Sequence, residues 1–385
     1  MAKKPKVLCV FFEGLDNSVI SSQVLAHAKV MKTLGVAEFE LVCCPWDQES
    51  YEKSLALQKQ AEEITQAPVR ILKSYRPGMP FSAWLNRRLI RQYVRERRAS
   101  FTHIHARTDY STSVIGSRAK SWGTVLIWDC RGDSVAELEF RTDLNPVARF
   151  LRRTVLTNRI KAAAKLAERA VFVSHPLRDK MRPLWGDKPC YVIPSSASSD
   201  DFFFDEALRQ SKREHLNIKD GQRLYIYGGS MAPYQKFRET VDLFAKIRTT
   251  DPEAVLLVLT QDQENARVII GGQQGVILLS ARNDEMNEYL NAADAAFMLR
   301  DPLPTNIVAF PTKFAEYGLT GLPIIMTSAV VDAYKIAKQV GNIIDVSDDL
   351  EPGLIPNIDR QKTMDAYLGL VTKQAYAGSY AMLYS

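Results

Sequence analysis

Between Pro311 and Ile325 the chain reads PTKFAEYGLTGLPII, and this run holds the residues best suited to chemistry. Proline tolerates the first helical position, where its missing N–H would have had no partner, so Pro311 reads as the opening of a helix. Lys313 and Glu316 are three apart and share one face of that helix. A helix N-terminus carries partial positive charge and free N–H groups, which suit a diphosphate. The start at Pro311-Thr312 would offer those groups, and Lys313 would add a full charge. Glu316, an acceptor only when ionised, suits ribose or sugar hydroxyls. The plainer alternative is a lysine–glutamate pair on a solvated face. Gly318 and Gly321 let the helix end and the chain turn into the next strand.

Further clusters of this kind follow short apolar runs. Tyr225-Ile-Tyr-Gly-Gly-Ser230 reads as a strand and a Gly-Gly turn, which can bring backbone N–H groups close to phosphate. As an isolated feature, it is also a common turn. Ile104-His-Ala-Arg107 closes one run, and Trp128-Asp-Cys-Arg-Gly-Asp leaves another, with Glu137 beyond. His105, Arg107, Asp129, Arg131 and Glu137 are therefore candidates for ligand contact. Asp129 and Arg131 pairing to hold a loop, and His105 as a satisfied core imidazole, are the bland counterparts. Glu13-Gly-Leu-Asp-Asn-Ser18 holds one glycine and is not G-x-G-x-x-G, so a dinucleotide dehydrogenase is poorly supported.

These clusters need elements to position them. Short apolar, β-branched runs at Lys6–Phe12, Phe39–Cys44, His103–Ala106, Val125–Asp129, Ala170–Val173 and Cys190–Ile193 read as strands. Helical patterns lie at Val19–Leu34, Ala83–Arg98 and Asn145–Glu168, and Ser174 is placed to cap a further helix. A polar stretch from Pro194 to Asp201 looks like an inter-domain linker. A second series then places strands at Leu224–Tyr227, Ala254–Val258, Val276–Leu279, Ala295–Leu299 and Pro323–Met326, with helices near Lys236–Arg248, Asp284–Asn291 and Pro311–Leu319. Apolar strands alternating with helices imply parallel sheets covered on both faces. Such sheets bind ligands beyond the carboxyl ends of their strands. The expected division is 1–195, 196–360 and a C-terminal helix over 361–385.

The Pro311–Ile325 run closely resembles the donor-site signature of the retaining glycosyltransferase family 4, of the GT-B fold. The resemblance implies two Rossmann-like, doubly wound parallel-sheet α/β domains facing across a cleft, the first for acceptor and the second for a nucleotide-sugar. The last helix would cross back to the first domain. It further implies that Glu316 contacts the ribose and Lys313 the phosphates. Many members carry a second glutamate eight positions earlier; Val308 stands there in this chain, with Thr305 and Asn306 nearby to take over part of its role. The Tyr225–Lys236 segment resembles the family's glycine-rich turn. Its usual arginine and lysine are replaced by Ser230 and Gln235, with Lys236 next door, so Gly229 and Ser230 become the main contacts. The H-A-R and D-C-R-G runs, with Glu137, resemble a bacterial subgroup that builds surface polysaccharides. Arg131 holds about the place of a histidine that contacts the reacting sugar in many members. Gly14 would let the first loop approach the acceptor or a donor phosphate.

The implied reaction is metal-independent transfer of a sugar from a UDP- or GDP-linked donor to a glycan or lipid-linked acceptor, with retention. No paired carboxylates of the hydrolase type stand out, which leaves front-face attack and stabilisation of the departing diphosphate as the enzyme's main task. The chain contains no D-x-D and no zinc pattern. No cofactor is expected beyond the donor. A rival of another class is a catalytically inactive GT-B scaffold that binds a nucleotide-sugar or glycan, or serves as a partner subunit.

Bulk properties set the remaining bounds. The 385 residues, 46% hydrophobic and 24% charged, suit two globular domains. Five scattered cysteines without a C-x-x-C pair read as free thiols in a reducing compartment. The opening MAKKPKVLCVFFEG reads as a first strand rather than a leader, and no apolar run approaches the ~20 residues that span a bilayer. A cytoplasmic protein is expected, with peripheral contact at the inner face of a membrane through the basic, Trp84-bearing segment 76–98. The plainer alternative for that segment is a helix with a solvated arginine face. A net charge of +6 without a recognised binding module gives no case for nucleic acid.

Overall fold

A computed structural model describes residues 4–97, 101–116, 118–141, 143–346 and 355–385. The chain forms two compact units, Met1–Pro194 with Lys373–Ser385, and Ser195–Thr372. In the first, seven strands form one sheet: β1 (Lys6–Phe11), β2 (Glu38–Cys43), β3 (Val69–Ile71), β4 (His103–Arg107), β5 (Val125–Cys130), β6 (Arg169–Phe172) and β7 (Cys190–Val192). Their order is β3-β2-β1-β4-β5-β6-β7, and every pairing is parallel. The chain reverses direction along the sheet between β1 and β4.

The second unit repeats the plan with six strands: β8 (Leu224–Gly228), β9 (Val255–Leu259), β10 (Val276–Leu279), β11 (Ala295–Met298), β12 (Ile324–Met326) and β13 (Ile343–Asp345). The order β10-β9-β8-β11-β12-β13 is again wholly parallel, and the reversal falls between β8 and β11. β8, β9, β11 and β12 are buried along their whole length, as strands covered by helices on both faces must be. Each unit has its own apolar core.

Every strand read from the sequence is present to within about a residue at each end. The two strands not foreseen, β3 and β13, have three residues each and lie at sheet edges. Helix starts follow local chemistry. Asn145 caps Pro146–Leu166, with proline in its first turn, and Ser174 caps His175–Trp185 by accepting from Leu177 N–H.

Three expectations need correction. The Val19–Leu34 helix is interrupted by a π segment at Ser21–Leu25, a form that often marks functional sites. The division between the units falls in the stretch read as an inter-domain linker, which is buried from Ser195 to Ser198, where Ala197 bridges Thr372. The C-terminal segment is not one helix. Arg360–Val371 belongs to the second unit, and Ala377–Leu383, following a break at Thr372, packs in the first. The basic segment's helix spans Ser82–Glu96, and Arg98 lies outside the described residues. Among the described residues, no helix is long and apolar enough to cross a membrane.

Candidate functional site

In the second unit the strand order reverses between β8 and β11, where an open α/β sheet places its ligand crevice. β8 ends in the Gly228-Gly229-Ser230 turn, and β11 runs into Leu299-Arg300. Pro311 is not the first helical residue but the N-cap, with extended backbone; the helix is Thr312–Leu319. Lys313 therefore sits in its first turn.

The fold brings Lys313 onto the Gly229 turn. A Cβ on Gly229 would stand 2.7 Å from Lys313 Nζ and 2.5 Å from Gln235 Oε1, so a side chain there would displace both groups. Burial, then the neighbouring Arg300 charge, lowers the Lys313 pKa to about 8, against the opposing pull of Glu316. The Gly229 N–H itself is bonded to Leu259 O at 3.0 Å, continuing the β8–β9 ladder. Ser230 is exposed and its hydroxyl accepts from Gln235 Nε2 at 2.8 Å. Tyr227 OH donates to Ser230 O at 2.8 Å, which ties the turn to its strand.

Lys236 is already engaged by two carboxylates, Asp301 at 2.6 Å and Glu239 at 3.5 Å. The first of these pairs anchors the loop after β11. Asn306 is buried and donates to Asp301 O at 2.9 Å, closing the same loop. The Thr305 hydroxyl is buried and makes no hydrogen bond among the described residues. Val308 packs in the interior. Gly318 lies inside the helix rather than at its end: a Cβ there would collide with the Tyr367 ring, so glycine permits close packing.

Arg300 was not singled out in the sequence, yet it is the most unusual group here. It is 7% exposed. Its guanidinium donates to Gln235 O at 3.3 Å, Gln235 Oε1 at 3.4 Å and Leu299 O at 2.7 Å. No ion pair to a carboxylate is present among the described residues, and burial lowers its pKa. A charged residue closing an otherwise apolar strand was the available signal.

At the β1/β4 reversal of the first unit, Glu13 meets Arg107 at 3.3 Å. Thr108 follows with φ of 72°, a strained backbone for a β-branched residue and a kind of outlier that clusters at functional sites. Gly14 is held tightly: a Cβ would run into Ser50 and Asp16. A depression here is lined by Glu13, Gly14, Asp16, Trp46, Asp47 and Glu49, among others.

His105, Asp129 and Arg131 are brought together, but beneath the C-terminal helix. Asp129 meets Arg131 Nε at 2.7 Å and His105 Nε2 at 3.4 Å. These partners outweigh Asp129's burial and hold its carboxyl well below the usual range. Tyr384 OH contacts His105 Nδ1 at 3.0 Å and His27 Nε2 at 3.2 Å, while Arg131 hydrogen-bonds Tyr380. The geometry thus favours packing roles for His105, Asp129 and Arg131. Glu137 lies apart from them on a short 3-10 helix, Ala136–Phe140. The residue is exposed, but Oε1 is 3.2 Å from where a Cβ on Gly132 would stand. Enclosure there, with Asp109 and Asp133 nearby, raises its carboxyl to about 7.

No protein-family model matches the chain, and no curated protein matches it. Solved structures do. Sucrose-phosphate synthase from Thermosynechococcus elongatus superposes with a TM-score of 0.70 at 13% identity, over 99% of this chain and 98% of that one. The Anabaena protein HepE, in complex with UDP and glucose, gives 0.66 at 15% identity over 99% and 97%. WaaG, a glycosyltransferase involved in lipopolysaccharide biosynthesis, gives 0.62 at 12% identity over 98% and 95%. At such identities the likeness is one of architecture: the chain has the GT-B fold, built of two parallel-sheet α/β units.

Proposed function

We propose that the chain is a glycosyltransferase that binds a nucleotide-sugar in its second unit and transfers the sugar, with retention, to a glycan or lipid-linked acceptor. One observation carries this reading. Lys313 Nζ is packed against the Gly229 turn at the strand-order reversal, next to a second buried cation, Arg300. Two cations held in a low-dielectric site repel each other, and an anion placed between the turn and the helix start relieves that. A diphosphate suits the position. HepE, similar in fold, was solved with UDP-glucose as well as with UDP.

In this reading the diphosphate takes the Ser230 N–H and Lys313, since the Gly229 amide is used by the sheet. Thr312 begins the helix that faces it, and Glu316, one turn on, holds the ribose. The acceptor attacks on the face from which the diphosphate departs, and the leaving oxygen takes the acceptor's proton. Charge builds on the leaving group, so a preorganised cation there is worth more in the transition state than in the ground state. The Thr305 hydroxyl supplies a polar contact near the position of the missing glutamate, while Asn306 and Lys236 shape the loop.

On the acceptor side, the first unit's reversal point offers Glu13, Arg107 and the aromatic edge of Trp46. His105, Asp129 and Arg131 act as positioning residues beneath it. The same end of this unit carries a surface suited to a membrane. The Ser82–Glu96, Thr108–Ile115 and Pro146–Leu166 helices each lead toward a parallel strand, so their N-termini share one end. Phe81 and Trp84 are exposed there on one helix, and Val147, Phe150, Leu151 and Val155 on another. Arg149, Arg152 and Arg153 accompany this second stripe, on a helix without an acidic residue. Apolar residues flanked by arginine fit an anionic lipid surface, which would bring a lipid-linked acceptor to the site.

The test is incubation with a panel of UDP-, GDP- and CMP-sugars. Transfer to an acceptor, or slow donor hydrolysis, together with thermal stabilisation by the same donor, is expected. Stabilisation without turnover on any acceptor would mark a binding scaffold instead.

A further inference from the structure

We infer that Arg300, at the end of β11, supplies positive charge to a diphosphate held at the turn after β8, whose own residues are poor in charge. The inference rests on the donor-site reading above and names a residue within it. The turn itself is poor in charge: Ser230 and Gln235 are neutral, and Lys236 is neutralised by Asp301 and Glu239. Arg300 comes from the other side of the strand-order reversal, one residue beyond Leu299, and reaches under the same turn. Among the described residues, two of the guanidinium's three hydrogen bonds go to Gln235, at the backbone oxygen and at Oε1. Gln235 Oε1 and Lys313 Nζ both crowd the space above Gly229. The guanidinium is therefore one side chain away from the ammonium of Lys313, and its charge is felt there.

Burying an arginine is costly unless its charge is used. Carbonyl and amide oxygens satisfy its N–H groups but do not neutralise it, and among the described residues no carboxylate pairs with it. A guanidinium that only pinned the loop could be replaced by a neutral donor. One that also faces a diphosphate could not. The structure thus assigns Arg300 a paired role, bracing Gln235 and holding positive potential beside Lys313.

Calorimetric titration with UDP, GDP and the parent nucleosides tests this. A wild-type protein that binds none of them removes the donor site itself, and with it this inference. Given wild-type binding, Arg300→Met should weaken the nucleoside diphosphate about tenfold or more, the scale of a lost charge-assisted contact, while the nucleoside loses little. Arg300→Lys keeps the charge without the planar fork and should stay within about threefold of wild type. Placing a cation in the turn, as Gln235→Lys in the Arg300→Met background, should recover most of the loss. Equal losses for nucleoside and diphosphate in Arg300→Met, or failure of both Arg300→Lys and the double variant to hold diphosphate affinity, would show a purely structural arginine. Circular dichroism on each variant shows whether it is folded, and if Arg300→Met does not fold, the two cation-bearing variants decide.

Discussion

Lys313 carries the residue-scale argument. Its ammonium is buried beside another cation, and its pKa falls to about 8, so the charged form is already partly disfavoured near neutrality. Charge is present below about 8 and lost as pH rises through that value. Nucleoside diphosphate affinity should therefore decline from about pH 7 to about pH 9.5, and a bound phosphate, which favours the cation, should soften the decline. Lys313→Met should weaken binding by about tenfold or more at pH 7 and remove this pH dependence. Titration calorimetry across that range checks both. That Lys313 and Glu316 share one helix was readable from their spacing of three. The contact of Lys313 with Gly229 was not, because a contact between residues more than eighty apart depends on which strands become neighbours. Arg300 stood out locally only as a charge closing an apolar strand, and its burial under the Gly229 turn depends on the same long-range contacts.

At the scale of elements, the sequence announces what is locally apolar and hides what is short or polar. β8 and β9 are runs of apolar and aromatic residues, and both were legible. The Gln48–Thr65 helix, which buries only Ser54, Ala61 and Thr65, has too thin an apolar stripe to stand out. The Ala377–Leu383 helix, read as part of one longer helix, is the most consequential element whose bounds changed. Tyr380 and Tyr384 lie in the first unit's core, and Tyr384 OH bridges two buried histidines. Burial and the charge of nearby His105 keep His27 well below its ordinary pKa, so its ring is neutral and well suited to share the phenol. Tyr384→Phe leaves buried ring nitrogens unsatisfied and should cost about 1–3 kcal/mol, read from urea unfolding. An unchanged midpoint would mean the network contributes nothing to stability.

For the whole molecule, the sequence sufficed for two parallel α/β units because both series of strands alternate with helices. It did not reveal that only Lys373–Ser385 at the C-terminus belongs to the first unit. The net charge of +6 is modest, yet basic residues gather on the helices that also expose Trp84 and Phe150. Cosedimentation with vesicles rich in an anionic phospholipid should show binding that weakens with salt. Phe150→Asp with Leu151→Asp, both on exposed positions, should abolish most of it without lowering thermal stability. Equal binding to neutral vesicles, or none to either, would remove the membrane-facing role and leave the donor site untouched.

The central claim is that anionic phosphate settles where the Gly229 turn meets the start of the Thr312 helix. A crystal structure with UDP or GDP bound tests it most directly. Phosphate oxygens are expected within hydrogen-bond distance of Lys313 Nζ and the Ser230 N–H, and the ribose beside Glu316. A nucleotide bound with its phosphates elsewhere, and Lys313 still facing only Gly229 and Gln235, would contradict it.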